Sequence, residues 1–235
     1  MARLAMWFVV AATAACGRMG FDPTQRASDG ATPGDSAGTD DAPGGSGTSD
    51  GPSGAPADAA PGTTVVIADT YLQGVPTAIH GSDVDLRAGR SNSGANLLPL
   101  LQFDLSALPA PPVTQALLVL DQYAGTGSTA FALDVHRVTQ AWSEADATWT
   151  SATATTSWAG GTYASTVYAT ATVTPGVLGT TQWDITAMVN EWLTGTANDG
   201  VELVMQSQPP TNTFVQFASR DNATVTARPQ LVVTP

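Results

Sequence analysis

From residue 63 onward, apolar side chains return at every second position. Val84, Leu86 and Ala88 alternate with Asp85 and Arg87, and Phe131, Leu133 and Val135 alternate with Ala132, Asp134 and His136. Val201, Leu203 and Met205 alternate with Glu202 and Gln206. That period matches a strand with one face buried. Leu97 to Leu105 and Val113 to Leu120 are denser in apolar residues and read as inner strands. Turn chemistry separates the segments: Gly125-Thr-Gly, Gly160-Gly161, Asn198-Asp-Gly200 and Pro209-Pro210. One stretch differs. Thr186-Ala-Met-Val-Asn-Glu-Trp-Leu193 follows a capping Asp184 or Thr186 and ends before Gly195, with Ile185, Val189, Trp192 and Leu193 on one helical face. Many short strands and one helix predict an all-β chain, a jelly-roll-like antiparallel β-sandwich whose helix plugs one end.

The first 62 residues follow other rules. Arg3 precedes an uncharged apolar run from Leu4 to Ala15, about twelve residues. A membrane-spanning helix needs roughly twenty. Small residues then lead to Cys16, so residues 1–15 read as a cleavable signal peptide. Thr13-Ala-Ala-Cys16 resembles a bacterial lipobox, in which the cysteine thiol is acylated; Thr13 stands where an aliphatic residue is usual. The alternative is plain secretion after Ala14 or Ala15. Cys16 is the single cysteine, so it has no disulfide partner, and Gly17 in place of Asp resembles lipoproteins sent to the outer membrane. The expected location is therefore outside the cytoplasm, lipid-anchored in the outer membrane or secreted.

Residues 16–62 read as a disordered linker. Asp22 to Gly62 is rich in Gly, Ser, Pro, Asp, Ala and Thr and holds no aromatic residue. It cannot bury enough apolar surface to offset the entropy of ordering. About 40 residues of such coil reach on the order of 35 Å. All four Tyr and five of the six Trp lie beyond Thr63, which leaves residues 63–235 as one domain.

Charge narrows the partners. Beyond residue 62, five Arg face thirteen Asp and Glu, a formal balance of −8, and the chain has no Lys. Nucleic-acid affinity comes largely from Lys and Arg displacing counterions, so nucleic acid is excluded. Polyanionic sugars and anionic lipid are disfavoured for the same reason; a lipid on Cys16 is the expected membrane contact. The remaining partners are a glycan or a surface protein.

The signposts of the domain then come in order. Ala68-Asp-Thr-Tyr71 opens it, followed by Leu101-Gln-Phe-Asp-Leu-Ser-Ala-Leu-Pro109, Val135-His-Arg-Val-Thr139 and Trp142-Ser-Glu-Ala-Asp-Ala-Thr-Trp149. Trp183-Asp-Ile-Thr-Ala-Met-Val-Asn-Glu-Trp192 leads to Asn198-Asp-Gly200, Phe217-Ala-Ser-Arg-Asp221 and Arg228-Pro-Gln-Leu-Val-Val233. Together they resemble the DNRLRE-domain family, also classed as carbohydrate-binding module family 96, across nearly all of residues 65–235. Asn92-Ser-Gly94 only loosely echoes the family's Asn-Tyr-Gly-like segment, and Asp221 stands where Glu is common. The resemblance implies a secreted or cell-surface jelly roll, with sugar binding in some members.

The candidate chemistry is recognition rather than catalysis. Trp158 and Tyr163 flank Gly160-Gly161 in a Thr/Ser/Ala-rich insert without a sustained apolar face, and exposed loop aromatics suit contact with a partner. Arg87 and Arg90 could hydrogen-bond sugar hydroxyls or carboxylates, against a default pairing with Asp85. Trp142, Glu144, Thr148 and Trp149 form the densest cluster and read as framework. Glu144 and Asp146 are close acids flanked by aromatics, but two residues apart they do not easily oppose each other across a glycosidic bond. His80 and His136 lack a partner at zinc-ligand spacing, and His136 reads as a surface imidazole. No cofactor is expected; Asp69, Asp104 and Asp221 are the acids that could serve a structural calcium, without a loop motif to hold it. The expected function is non-catalytic carbohydrate binding at the cell surface or in secretion. The alternatives are a structural or adhesive lipoprotein with a protein partner and a glycan hydrolase.

Overall fold

The computed structural model describes residues 62–64 and 66–235. The expected signal peptide, Cys16 and the linker as far as residue 61 lie outside the described residues. Eleven strands and one helix follow: β1 (Gly62–Thr64), β2 (Val66–Gln73), β3 (Asp85–Arg90), β4 (Asn96–Phe103), β5 (Gln115–Thr126), β6 (Phe131–Arg137), β7 (Ala169–Val173), β8 (Gly179–Asp184), α1 (Thr186–Leu193), β9 (Val201–Met205), β10 (Thr213–Ala218) and β11 (Gln230–Thr234). A 3-10 turn at Val225–Ala227 precedes the last strand.

Every strand pair is antiparallel. The order runs β1-β11-β5-β10-β3-β4-β9-β6-β7, with β2 added to β4 and β8 to β5. The ladder is therefore continuous, and it curls so that its halves face each other across one core. β3 makes the corner, pairing with β10 along its length and with β4 only at Gly89 and Arg90. Gly89 has φ of +128°, and a Cβ there would fall 2.7 Å from Cα of Phe214. The close approach of β10 requires the missing side chain.

The main core takes most of the residues the alternation marks: Leu86, Ala88, Phe131, Leu133, Val135, Val201 and Leu203 are buried together with Leu101, Leu118, Leu120, Val215, Phe217 and Leu231, whereas Val84 lies before β3 and is exposed. Ile185, Val189 and Trp192 close it at the helix, as the sequence predicts; Met188 joins them, and Leu193, expected on the same face, is only partly buried. Asp184 Oδ1 accepts the Thr186 N–H at 3.0 Å at the head of α1, and Asn190 exchanges hydrogen bonds with both backbone groups of Val113. β4 is an inner strand, as its Leu97-Leu-Pro-Leu-Leu101 run predicts. β5 is less so, because Ala116, Leu118 and Leu120 are buried while Leu117 and Val119 are only half-buried.

A second core lies on the reverse face of β2 and β4. Leu72, Leu98 and Leu100 meet Val138, Ala147, Ala152 and Trp158 from the segment between β6 and β7. This cover overturns part of the alternation pattern. His136, Asp134 and Glu202, which the pattern turns toward solvent, are 7%, 7% and 0% exposed. A strand's second face is solvated only when nothing is folded over it.

Candidate functional site

The segment after β6 builds the most promising site. Its chain runs across the face of β4 and β9 and encloses, with them, a depression of about 450 Å³ lined by Asn96, Leu98, Trp149, Gly160, Gly161, Thr162, Tyr163, Val204, Met205 and Gln208 among others. Gly160 and Gly161 turn the chain at φ of +73° and +93°, a region open chiefly to glycine. Gly160 donates its N–H to the Trp149 carbonyl at 2.7 Å, and a Cβ on Gly160 would lie 2.7 Å from the Trp149 ring. Trp149 is half-buried, and Tyr163 is 38% exposed. Two aromatic rings thus border a depression whose rim carries the amides of Asn96 and Gln208, themselves 3.3 Å apart. Rings cover the apolar face of a pyranose while amides reach its hydroxyls.

Beneath this depression lies Glu202. Register pairs it with His136 on β6 and Leu100 on β4, so the three share a face. Neither carboxyl oxygen has a hydrogen-bond partner, and a Cβ on Gly161 would fall 2.6 Å from its Cδ. Burial pushes the Glu202 carboxyl well above the usual carboxylate range. The His136 ring stands 4.8 Å from Tyr163 and hydrogen-bonds the Ala164 carbonyl through Nδ1 at 2.9 Å. The Tyr163 hydroxyl is raised by burial and then by the proximity of Glu202. The expected surface imidazole at His136 is therefore corrected: the loop that ends in Tyr163 covers it.

The four ligand residues expected from sequence do not assemble. Tyr163 lines the depression. Trp158, expected on an exposed loop, is 9% exposed and donates Nε1–H to the Thr148 carbonyl at 2.7 Å inside the second core. Within the insert, Ala152 and Trp158 fold inward beside Leu72 and Leu98, while Tyr163 and Val167 stay exposed. Arg87 lies in a separate depression of about 250 Å³ with Gln73, Asn92 and Asn212, held by Asp85 at 2.8 Å and placed 5.7 Å from the Tyr71 ring centre. Arg90 gives its guanidinium to the carbonyls of Gly94 and Pro209, which ties two loops together.

Sequence reasoning assigned Trp149 to the framework with Trp142. Trp142 fits that role, donating Nε1–H to the Asp199 carbonyl at 2.9 Å. Both rings are half-buried against the second core, and both occur in one motif; only Trp149, beside the Gly160-Gly161 turn, lines the depression. Glu202 did leave a signal, as a lone acid within Val201-Glu-Leu-Val-Met205.

A second cluster joins three distant motifs. Carboxylate oxygens of Asp69, Glu144 and Asp221 lie within 4.8 Å of one another beside a depression of about 470 Å³. Of the calcium candidates, Asp69 and Asp221 meet here, whereas Asp104 is exposed and caps its own turn through the Ser106 N–H at 2.9 Å. The cluster already contains a cation. Arg220 reaches Glu144 at 2.8 Å through its guanidinium and Asp69 at 2.7 Å through its backbone N–H, and the Asp69 N–H donates to Glu144 at 2.9 Å. Burial raises the Asp69 carboxyl to about 7, opposed by the Arg220 N–H. The acids that meet Glu144 here are Asp69 and Asp221.

No curated protein matches the chain. The family model for carbohydrate-binding module family 96 matches residues 61–235, and the chain belongs to that family.

Proposed function

We propose that this domain is a non-catalytic glycan receptor and that the depression bordered by Trp149 and Tyr163 is where the sugar sits. Membership of a carbohydrate-binding module family makes the domain a carbohydrate-binding one. The observation that favours this site is the pairing of two accessible rings with the Asn96 and Gln208 amides, the apolar-face and hydroxyl complement of a pyranose. Two features support a non-catalytic role. Asp69 is 1% exposed, and both oxygens of Glu144 are engaged, one by the Asp69 N–H and one by Arg220. A general acid must reach its substrate.

The N-terminal sequence supports display outside the cytoplasm, by acylation of Cys16 or by secretion. A glycan array probed with the full chain tests the reading. Binding to a defined oligosaccharide, lost in Trp149→Ala with the fold intact, is the expected result. Silence across the array, with adhesion of cells retained, would transfer the domain to a protein partner.

A further inference from the structure

The two amides on the rim of the sugar depression are held by different means. Asn96 opens β4, pairs with Arg90 on β3, and accepts the Gly74 N–H on its carbonyl at 2.8 Å, so the ladder fixes it. Gln208 has no ladder. It is exposed and lies in the loop from β9 to β10. That loop is anchored at its ends, by the Gln206 N–H on the Ala132 carbonyl at 3.1 Å and by the Asn212 N–H on the Ser91 carbonyl at 2.9 Å. Among the described residues, two hydrogen bonds hold the stretch between these anchors. One joins the Gln208 and Asn96 side chains at 3.3 Å. The other comes from Arg90, whose Nη1–H donates at 3.3 Å to the carbonyl of Pro209, the residue after Gln208.

The β3–β4 turn presents Arg90 for that contact. Its Nε–H and Nη2–H both reach the Gly94 carbonyl, at 3.3 and 3.2 Å, so the guanidinium is oriented before it crosses to Pro209. Gly94 leaves it room, since a Cβ there would lie 3.1 Å from Nη2. The turn itself is closed by the Gly94 N–H on the Ser91 carbonyl at 3.0 Å and the Ala95 N–H on the Ser91 hydroxyl at 3.1 Å. A planar guanidinium can bridge two carbonyls in this way, whereas an ammonium on a flexible stem lacks the rigid fork.

We infer that Arg90 is a positioning residue of the glycan site: it sets affinity by holding Pro209, and with it the Gln208 amide, at a fixed spacing from Asn96. The inference rests on the glycan reading above, and Arg90 itself does not line the depression. With Gln208 giving an N–H to Asn96 Oδ1, the Asn96 amide N–H groups and Gln208 Oε1 remain free for sugar hydroxyls. On an untethered loop the glutamine would have to be ordered as the sugar binds, and that ordering subtracts from affinity.

The test is a double-mutant cycle read as affinity. Pentamers of glucose, N-acetylglucosamine and galacturonate are titrated calorimetrically into the full chain and into its Arg90→Ala, Gln208→Ala and doubly substituted variants. Urea midpoints are taken alongside. For a pentamer that binds, Arg90→Ala is expected to weaken binding by about fivefold, Gln208→Ala by at least as much, and the double variant no more than Gln208→Ala alone. Losses that multiply would mean that Arg90 acts on the fold at large, and would overturn the inference. Arg90→Lys keeps the charge and the stem, and so decides the matter should the alanine variant misfold. It is expected to lose most of the same affinity with a urea midpoint near the native one, and native affinity in it would overturn the inference. If a pentamer binds in a Trp149-dependent way and Arg90→Ala binds it equally well, the role of Arg90 falls while the glycan site stands. If no pentamer binds, both fall.

Discussion

Trp158 donates its indole N–H to the carbonyl of Thr148, and the very next residue, Trp149, turns its ring to the depression. Two tryptophans of one loop therefore have opposite duties. Trp158→Ala should cost about 3–5 kcal/mol of stability, because it opens a cavity in the second core and strands a buried carbonyl. Trp149→Ala should lower the urea midpoint far less yet abolish glycan retention in affinity electrophoresis. The reverse ranking would exchange their roles.

Gly161→Ala should be destabilising by roughly 2–4 kcal/mol. The residue sits at φ of +93°, and its new Cβ would enter the Glu202 carboxyl. The second part of that cost belongs to a pair and can be isolated. In a double-mutant cycle with Glu202→Ala, a coupling of about 1 kcal/mol or more in the favourable direction is expected, whereas additivity would mean that the two groups do not touch.

Stability should fall as pH rises from the acid side. Asp69 goes from 3.8 to about 7 on folding, and Glu202 starts from 4.5 and ends well above it. In both, the folded state binds the proton more tightly, so the contribution is fully present below about pH 4 and is lost as pH rises toward each folded value. Asp69 alone accounts for on the order of 4 kcal/mol between about pH 4 and pH 7. Asp69→Asn, whose amide oxygen can still accept the Arg220 N–H, should flatten that part of the profile in urea titrations. An unchanged slope would mean that Asp69 is ionised in the fold.

Arg220→Leu should destabilise by about 1–3 kcal/mol, a figure discounted for the 37% exposure of its side chain. It removes the guanidinium from Glu144 and from the Ile67 carbonyl while leaving the acids of the cluster in place. Arg220→Lys should recover only part, since one ammonium cannot bond both acceptors in the same fork. A full recovery would reduce the contact to simple charge.

The strands, the helix and the main core were legible because they depend on local period: Leu86, Leu133 and Leu203 point inward whatever lies outside. The covered face was not. Whether Glu202 and His136 meet water depends on where a loop of Thr, Ser and Ala folds, and a few inward contacts by Val138, Ala147, Ala152 and Trp158 decide it. Composition marked that loop as exposed and so misassigned Trp158, while the motif shared with Trp142 placed Trp149 in the framework. Arg90 was misleading for a related reason: its guanidinium bonds the nearby Gly94 carbonyl and also that of Pro209, 119 residues away, and the second partner leaves no trace in its own neighbourhood. Asp69, Glu144 and Asp221 were each visible within a motif, but only tertiary pairing brings the three motifs to one point.

Gly62 and Val233 are register partners, so the first and last strands of the domain lie side by side. The backbone is thereby nearly a closed ring. A short peptide could join the two ends and a new opening be cut at Gly176, where even a Cβ would meet nothing within 4 Å. Such a circular permutant should keep its strand register, and its new termini at Gly176 would become the points of fusion to a carrier.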